Sequence, residues 1–366
     1  MEREFISKID KFCDEKHMFN EVKHIVAGVS GGADSVCLLE ILYNLKKKYN
    51  YTIDVVHINH CIRGKEADED EAYVKKLCEE KNIEFYGYRI EVKKIADEKK
   101  LTEEEAGRQV RYDAFNKIAS KYNEKTCIAV AHNMNDVCET MMFNLIRGTG
   151  LKGIASISPV NGNIIRPLLC VKREEIEAFL EEMKIEFKID RTNLLEEYTR
   201  NKIRHNIIKY MDNINPKAIE HMARAAAIAG AANDFIGEYV RKTYNNTAAE
   251  VENVKNKKIY KVYLDICKIM LENLYIQKEV IRLAIMNVCG KLKDIEETHI
   301  SDIIGLMNKQ SGRYVMLPYG IIAKREYNEL VITQENVNNQ EINDFKNDIY
   351  GQYIDENNSD IKNIYP

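Results

Sequence analysis

The chain has 366 residues, 45% of them hydrophobic and 31% charged, enough for two packed cores rather than one. The net charge of −4 comes mostly from the end: Gln334–Pro366 holds seven acids and two bases, so the rest carries 52 bases against 51 acids. That balance allows local basic patches, while the longest apolar run, Ala225–Ala232, excludes a bilayer-spanning helix, and the charged start excludes a secretion signal.

Lys23–Val29 reads as a buried strand, followed by a glycine loop and an apolar helix to about Leu45. Thr52–Asn59 is a second strand and Lys65–Lys81 a charged amphipathic helix. Ile83–Val92 is a third strand. Thr102 and Glu105 form a T-x-x-E capping box that opens a helix to about Tyr122. Thr126–Ala131 is a fourth strand and Met134–Arg147 its helix. Ile164–Leu168 reads as a fifth strand, with a helix over Arg173–Met183. This alternation predicts an α/β fold: a five-stranded parallel sheet with helices on both faces, binding ligands at the carboxyl ends of its strands. Beyond it, Asn215-Pro216 starts a long Ala-rich helix. Further helices are expected over Gln277–Val288 and Thr298–Lys309, and a strand pair around Pro318-Tyr319-Gly320. The expected domains are 1–212, a mainly helical 213–333, and a polar acidic tail or incomplete further domain over 334–366. Nine cysteines, none closer than 11 residues, give neither a C-x-x-C site nor a disulfide framework. Buried free thiols in the cytoplasm are the simpler reading.

Ser30-Gly31-Gly32-Ala33-Asp34-Ser35 falls where the first strand becomes the first helix. Its glycines permit a tight turn, and backbone N–H groups at the helix start favour an anion. It lacks the Lys of a Walker A loop and the glycine spacing of a dinucleotide fingerprint. After the fourth strand, His132, Asp136 and Glu139 follow at helical spacing. They could hold Mg²⁺, bind an ammonium group or move a proton, or form a solvated face. Zinc is disfavoured, since the trio is carboxylate-heavy and has no partner cysteine. Arg108 and Arg111 share one helical face suited to phosphate or carboxylate. Arg147, Lys152, Arg200, Asn201 and Arg204 are candidate RNA or phosphate contacts, with a plain charged surface as the alternative.

Taken in order, several segments resemble the tRNA(Ile)-lysidine synthases, a family of PP-loop N-type ATP pyrophosphatases with a Rossmann-like fold. They are Ser30–Ser35, Val56–Arg63, Ala106–Phe115, Ala131–Gly153, Arg166–Leu169, Asp190–His205, Asn215-Pro216 and Gly312–Pro318. The resemblance implies ligation of L-lysine to the wobble cytidine of tRNA(Ile) with a CAU anticodon, through an adenylated base, giving AMP and pyrophosphate. It implies ATP on Ser30, Gly31, Gly32, Ala33, Asp34 and Ser35, with Mg²⁺ at Asp34 and Asp136. Lysine is then assigned to His132, Asp136 and Glu139, and transition-state charge to Arg111, making Asp34, Arg111 and Asp136 the catalytic set. Many bacterial members continue into a further carboxyl-terminal domain, whereas this sequence ends in an Asn-rich tail. A homo-oligomer is left open, and no membrane partner is expected. The rival expectations are another PP-loop enzyme, such as a 2-thiocytidine synthetase, and a non-catalytic nucleotide- or RNA-binding protein. The missing C-x-x-C counts against sulfur delivery.

Overall fold

The computed structural model describes residues 2–61, 64–188, 199–252 and 259–334, the side chains of 199, 200 and 252 excepted. Arg63, residues 190–198 and the tail after 334 lie outside the described residues. The chain divides into two compact units, Met1–Asn233 and Asp234–Pro366.

In the first unit, helix α1 spans Glu2–Glu15, β1 His24–Gly28, α2 Ala33–Tyr49, β2 Thr52–Asn59, α3 Lys65–Lys81 and β3 Glu84–Arg89. Then come α4 over Val92–Lys99, α5 over Glu103–Ala119, β4 over Thr126–Ala129, α6 over Met134–Arg147 and α7 over Leu151–Ile154. Two short strands, β5 (Val160–Asn161) and β6 (Ile164–Ile165), precede α8 over Arg173–Glu182. The sheet has six strands, in the order β3-β2-β1-β4-β6-β5, rather than the five expected. The sixth, β5, is an antiparallel edge turned back on β6 through Gly162 at φ +59°. The expected strand Ile164–Leu168 is cut short because Pro167, which has no N–H to give a ladder, starts a 3-10 turn over Pro167–Cys170.

Alternation along the strands sorts side chains onto two faces. Ile25, Ala27, Cys127 and Ala129 pack in one core with α1, α2 and α8. Val26, Val56, Ile128 and Val130 pack on the other side against Ala114, Phe115 and Ile118 of α5. The capping box closes as expected: Thr102 Oγ1 accepts from the Glu105 N–H at 3.2 Å, and Glu105 accepts from the Thr102 N–H at 2.9 Å. Phe115 fills the space left by the missing side chain of Gly28, where a Cβ would lie 2.4 Å from its ring. Gly28→Ala is therefore expected to destabilise the chain by about 1–3 kcal/mol through overpacking. Urea unfolding of the two proteins checks this, and an unchanged midpoint would contradict it.

Helix α9 (Thr199–Lys202), a π-helical turn (Ile203–Ile208) and α10 (Lys209–Ile214) follow one another without a break. Ile203 and Ile208 pack with Cys138 of α6 and with Ile219, which is in α11, a long helix over Ala218–Thr247. The sequence boundary at 212/213 falls earlier than the division at Asn233. Early α11 residues such as Ile219 and Ala226 belong to first-unit clusters, while Val240 and Tyr244 join the core of the second.

In the second unit, β7 (Ala248–Glu252), β8 (Ile259–Asp265), α12 (Ile266–Ile269), α13 (Leu274–Cys289), α14 (Glu297–Leu306), β9 (Tyr314–Leu317), β10 (Ile321–Glu326) and β11 (Glu329–Gln334) are found. The strands form an antiparallel sheet in the order β7-β8-β11-β10-β9. Its buried face (Val262, Leu264, Ile321, Ala323, Leu330, Ile332) packs with Val280, Ile281, Ala284 and Ile285 of α13 and Ile300 and Ile303 of α14. No helix among the described residues is long and apolar enough to cross a membrane. Of the nine free cysteines, Cys13, Cys37, Cys78, Cys127 and Cys138 are buried as expected, while Cys61 and Cys267 are exposed.

Candidate active site

Strands β1 and β4 are parallel neighbours in register, with Ala27 beside Ala129, and β2 continues the sheet on the far side of β1. The chain leaves β1 for one side of the sheet order and returns on β4 at the other. This is the switch point at which doubly wound sheets open a crevice. The loops after β1 and after β4 emerge there side by side.

The first loop is built around Ser35. Its Oγ accepts from the N–H groups of Ser30 and Gly31, both at 3.1 Å, and donates to the Gly32 carbonyl at 2.9 Å. Gly31 takes φ +95°, a conformation that a side chain would strain, and its carbonyl accepts from the Lys188 N–H at 2.9 Å. Gly32 is the N-cap of α2, and no side chain caps this helix. The donors of its first turn, starting at Ala33, are therefore left to meet an anion.

The second loop carries Asn133, the N-cap of α6, which is buried. Its side-chain oxygen accepts from the Asn135 and Asp136 N–H groups at 2.9 and 3.2 Å, while Asp136 accepts from the Asn133 N–H at 2.9 Å. The Asn133 amide then donates to Asp34 at 3.0 Å. One hydrogen-bond chain thus runs from the phosphate loop to the first acid of α6. His132 lies ahead of the cap, so the expected helical face of three is a face of two, Asp136 and Glu139. Asn133 takes extended φ and ψ of −114° and −176°, which breaks the 3.6-residue period at that point.

Arginines complete the centre. Arg173, the first residue of α8, pairs with Asp34 in a very short contact and with Glu177 at 2.7 Å. Arg204, on the π-helical turn, grips Glu139 through Nε at 2.5 Å and Nη2 at 3.1 Å, and approaches Asp136 to 3.6 Å. The packing of Ile203 and Ile208 with Cys138 fastens that turn to α6, and π turns often mark functional sites. Arg204, expected as an RNA contact, is thus occupied by carboxylates. Burial opposes its charge, but Glu139, Asp136 and Asp34 outweigh that and push its pKa above the ordinary guanidinium value. Arg166, itself buried, donates through Nε to His132 Nδ1 at 3.3 Å and through Nη1 to the Ser158 carbonyl at 2.7 Å. On α5, Arg108 stacks over Tyr112 with 5.2 Å to the ring centroid, and Arg111 has Tyr112, Arg108 and Glu104 as its titratable neighbours.

Of the remaining predicted contacts, Arg147 is exposed and lies over Phe143, Lys152 is exposed on α7, and Asn201 is half-buried on α9. The Arg200 side chain lies outside the described residues. Asn133 was legible as a cap, since Asn-x-x-Asp is a capping-box pattern. Arg173 gave no signal beyond its charge.

Burial raises the Asp34 carboxyl above the usual range; Arg173 opposes this, Asp136 adds to it and the Asn133 hydrogen bond opposes it. The folded chain therefore binds that proton more tightly than the unfolded chain. The ionised form costs stability above the folded pKa, and the cost is relieved as pH falls through it. Asp34→Asn is expected to raise the melting temperature at neutral pH while removing turnover. Calorimetry at pH 7 checks this, and a lower melting temperature would contradict it. Among the described residues no three His, Cys, Asp or Glu side chains form a metal cage. Two neighbouring carboxylates that repel each other nonetheless suit Mg²⁺, which takes one or two protein oxygens and completes its shell with phosphate and water.

The PP-loop domain family matches residues 1–211. The tRNA(Ile)-lysidine synthase of Caldanaerobacter subterraneus subsp. tengcongensis is 37% identical over 342 residues, 92% of this chain and 72% of that protein. That of Clostridioides difficile is 37% identical over 343 residues, 93% of this chain and 73% of that protein. That of Petrotoga mobilis is 34% identical over 298 residues, 81% of this chain and 89% of that protein. The likeness runs well past the PP-loop domain and through most of each relative, so the chain belongs to the tRNA(Ile)-lysidine synthase family.

Proposed function

We propose that this chain ligates L-lysine to the wobble cytidine of tRNA(Ile) carrying a CAU anticodon, using ATP. The reading rests on one observation above all: the hydrogen-bond chain that ties Asp34 of the phosphate loop through Asn133 to Asp136 of α6. A site that only bound a nucleotide would not need a second acid pair beside the loop.

In this reading the cytosine carbonyl oxygen attacks the α-phosphorus of ATP, and the bond to the β-phosphate breaks. The uncapped start of α2 and the Gly31–Gly32 turn hold the departing pyrophosphate by backbone N–H groups. Asp34 and Asp136 would hold Mg²⁺, which supplies charge neutralisation for the phosphates when bound. Arg111 is assigned to the developing charge. Asp136 and Glu139 are assigned to the lysine ammonium, which must take its place beside Arg204. After losing a proton, the ε-amine attacks the activated ring carbon. The carbon–oxygen bond breaks, AMP leaves with the oxygen, and the nitrogen sheds a further proton. The second unit and the exposed bases Arg147 and Lys152 are assigned to tRNA, and the cytoplasm is the setting this implies.

The test is incubation with ATP, labelled lysine and an unmodified tRNA(Ile) transcript. Label is expected in the RNA, and it is expected to vanish when the wobble cytidine is changed to uridine. Incorporation into both transcripts, or neither, would contradict the reading.

A further inference from the structure

Both oxygens of Asp34 accept hydrogen bonds. Oδ1 takes one from the Asn133 amide at 3.0 Å, and Oδ2 takes one from Arg173 Nη1 in the very short contact. Arg173 is fixed in place by its own element. It is the first residue of α8, whose Ile176, Phe179 and Leu180 are buried in the same core as Val36, Leu38 and Leu39 of α2. Its backbone N–H donates to Asn135 Oδ1 at 3.1 Å, which ties it to the first turn of α6, and its Nε donates to Glu177 at 2.7 Å. Burial opposes the guanidinium charge, but Asp34 and Glu177 outweigh it and raise its pKa above the ordinary value. Packing and two acids thus keep this cation on Asp34.

An ionised carboxylate has lone pairs to spare after two hydrogen bonds, so room is not the obstacle to a metal there. Charge is. A divalent cation on Asp34 would share one carboxylate with a guanidinium fixed beside it, and the two positive charges repel. Mg²⁺ also sheds its water reluctantly and takes protein carboxylates mostly together with substrate phosphates. A triphosphate changes the balance, because its oxygens carry enough negative charge for both cations. We infer that Arg173 is a positioning residue that makes the cation site at Asp34 conditional on the triphosphate. It keeps the free divalent ion off the carboxylate and admits the ion as the metal–nucleotide complex. That Asp34 ligates Mg²⁺ belongs to the function proposed above, whereas the exclusion of the free ion belongs to Arg173.

The test uses the full chain and Mn²⁺, a paramagnetic substitute for Mg²⁺, with the bound ion counted by electron paramagnetic resonance. Without nucleotide, Arg173→Met is expected to bind Mn²⁺ about 10-fold or more tightly than the wild type. Arg173→Lys keeps the charge and is expected to stay within about 3-fold of the wild type. Damage to the fold would lower the affinity, so a merely structural role for Arg173 does not produce this gain. With a non-hydrolysable ATP analogue present, the wild type is expected to take up Mn²⁺ and the gap between the two proteins to close.

Equal affinity of wild type and Arg173→Met for Mn²⁺ without nucleotide overturns the inference. So does an Arg173→Met protein that loses the ATP analogue and gains nothing for the free ion, which would make Arg173 a phosphate ligand. If Arg173→Met does not fold, the wild type still decides: Mn²⁺ bound as tightly without the analogue as with it overturns the inference. Asp34→Asn separates the role of Arg173 from the metal site beneath it. If Asp34→Asn removes the nucleotide-dependent Mn²⁺ while Arg173→Met behaves as wild type, the metal site stands and the role of Arg173 falls. If Asp34→Asn binds Mn²⁺ with the analogue as the wild type does, Asp34 is not a ligand, and the proposed metal site and the inference fall together.

Discussion

Asp136→Asn is expected to lower turnover by about 10²–10³-fold with little change in melting temperature. The substitution is chosen to separate two roles of one carboxylate. Asp136 closes the capping box of α6 by accepting from the Asn133 N–H, a bond worth on the order of 1 kcal/mol. An asparagine oxygen can accept that same bond. What asparagine cannot supply is the negative charge beside Asp34, which the raised Asp34 carboxyl registers. That charge is assigned both to the cation on the triphosphate and to the lysine ammonium, so kcat should fall and the KM for lysine should rise together. Steady-state kinetics alongside thermal unfolding measures both. Near-normal turnover in a folded Asp136→Asn protein would remove Asp136 from the mechanism.

Arg204→Met should be the most destabilising single change at the site. Glu139 is 4% exposed, and both its oxygens are bound by the Arg204 guanidinium. Arg204→Met takes from a buried carboxylate the guanidinium that binds both its oxygens. Breaking a buried pair in this way typically costs about 3–5 kcal/mol, and the lower end applies because the Arg204 side chain is 40% exposed. The double variant Glu139→Gln/Arg204→Met should recover much of the loss, since a neutral amide needs no counter-ion. Denaturant midpoints for the four members of the cycle test this. Strict additivity of the two single effects would show that the pair is not coupled.

Elements whose signal is local were readable in advance. The bounds of β2, α3 and α6 coincide with those expected from periodicity and capping residues. The turn after β1 was readable for a similar reason: glycines between an apolar strand and an apolar helix mark a tight bend, which Gly31 makes at φ +95°. The arginines around the acids were not. Arg173 lies 139 residues from Asp34 in sequence, and Arg204 lies 65 residues from Glu139. Their meeting depends on β4 lying beside β1 and on a π turn that no short pattern announces. His132 shows the opposite failure, since its spacing from Asp136 matched a helical turn although the helix begins two residues later. The first two strands of the second unit also escaped notice. In β8 the inward side chains Tyr260, Val262 and Leu264 alternate with Lys261, Tyr263 and Asp265, and the strand is entered from residues rich in lysine and asparagine.

In the proposed reaction the loop and the acids act together, and the base is activated before lysine arrives. Mixing the chain with tRNA(Ile) and ATP labelled at the α-phosphate, without lysine, tests it most directly. Label is expected on the RNA as AMP, released one for one when lysine is added. RNA that stays unlabelled until lysine is added would mean that the base is not activated before the amino acid arrives.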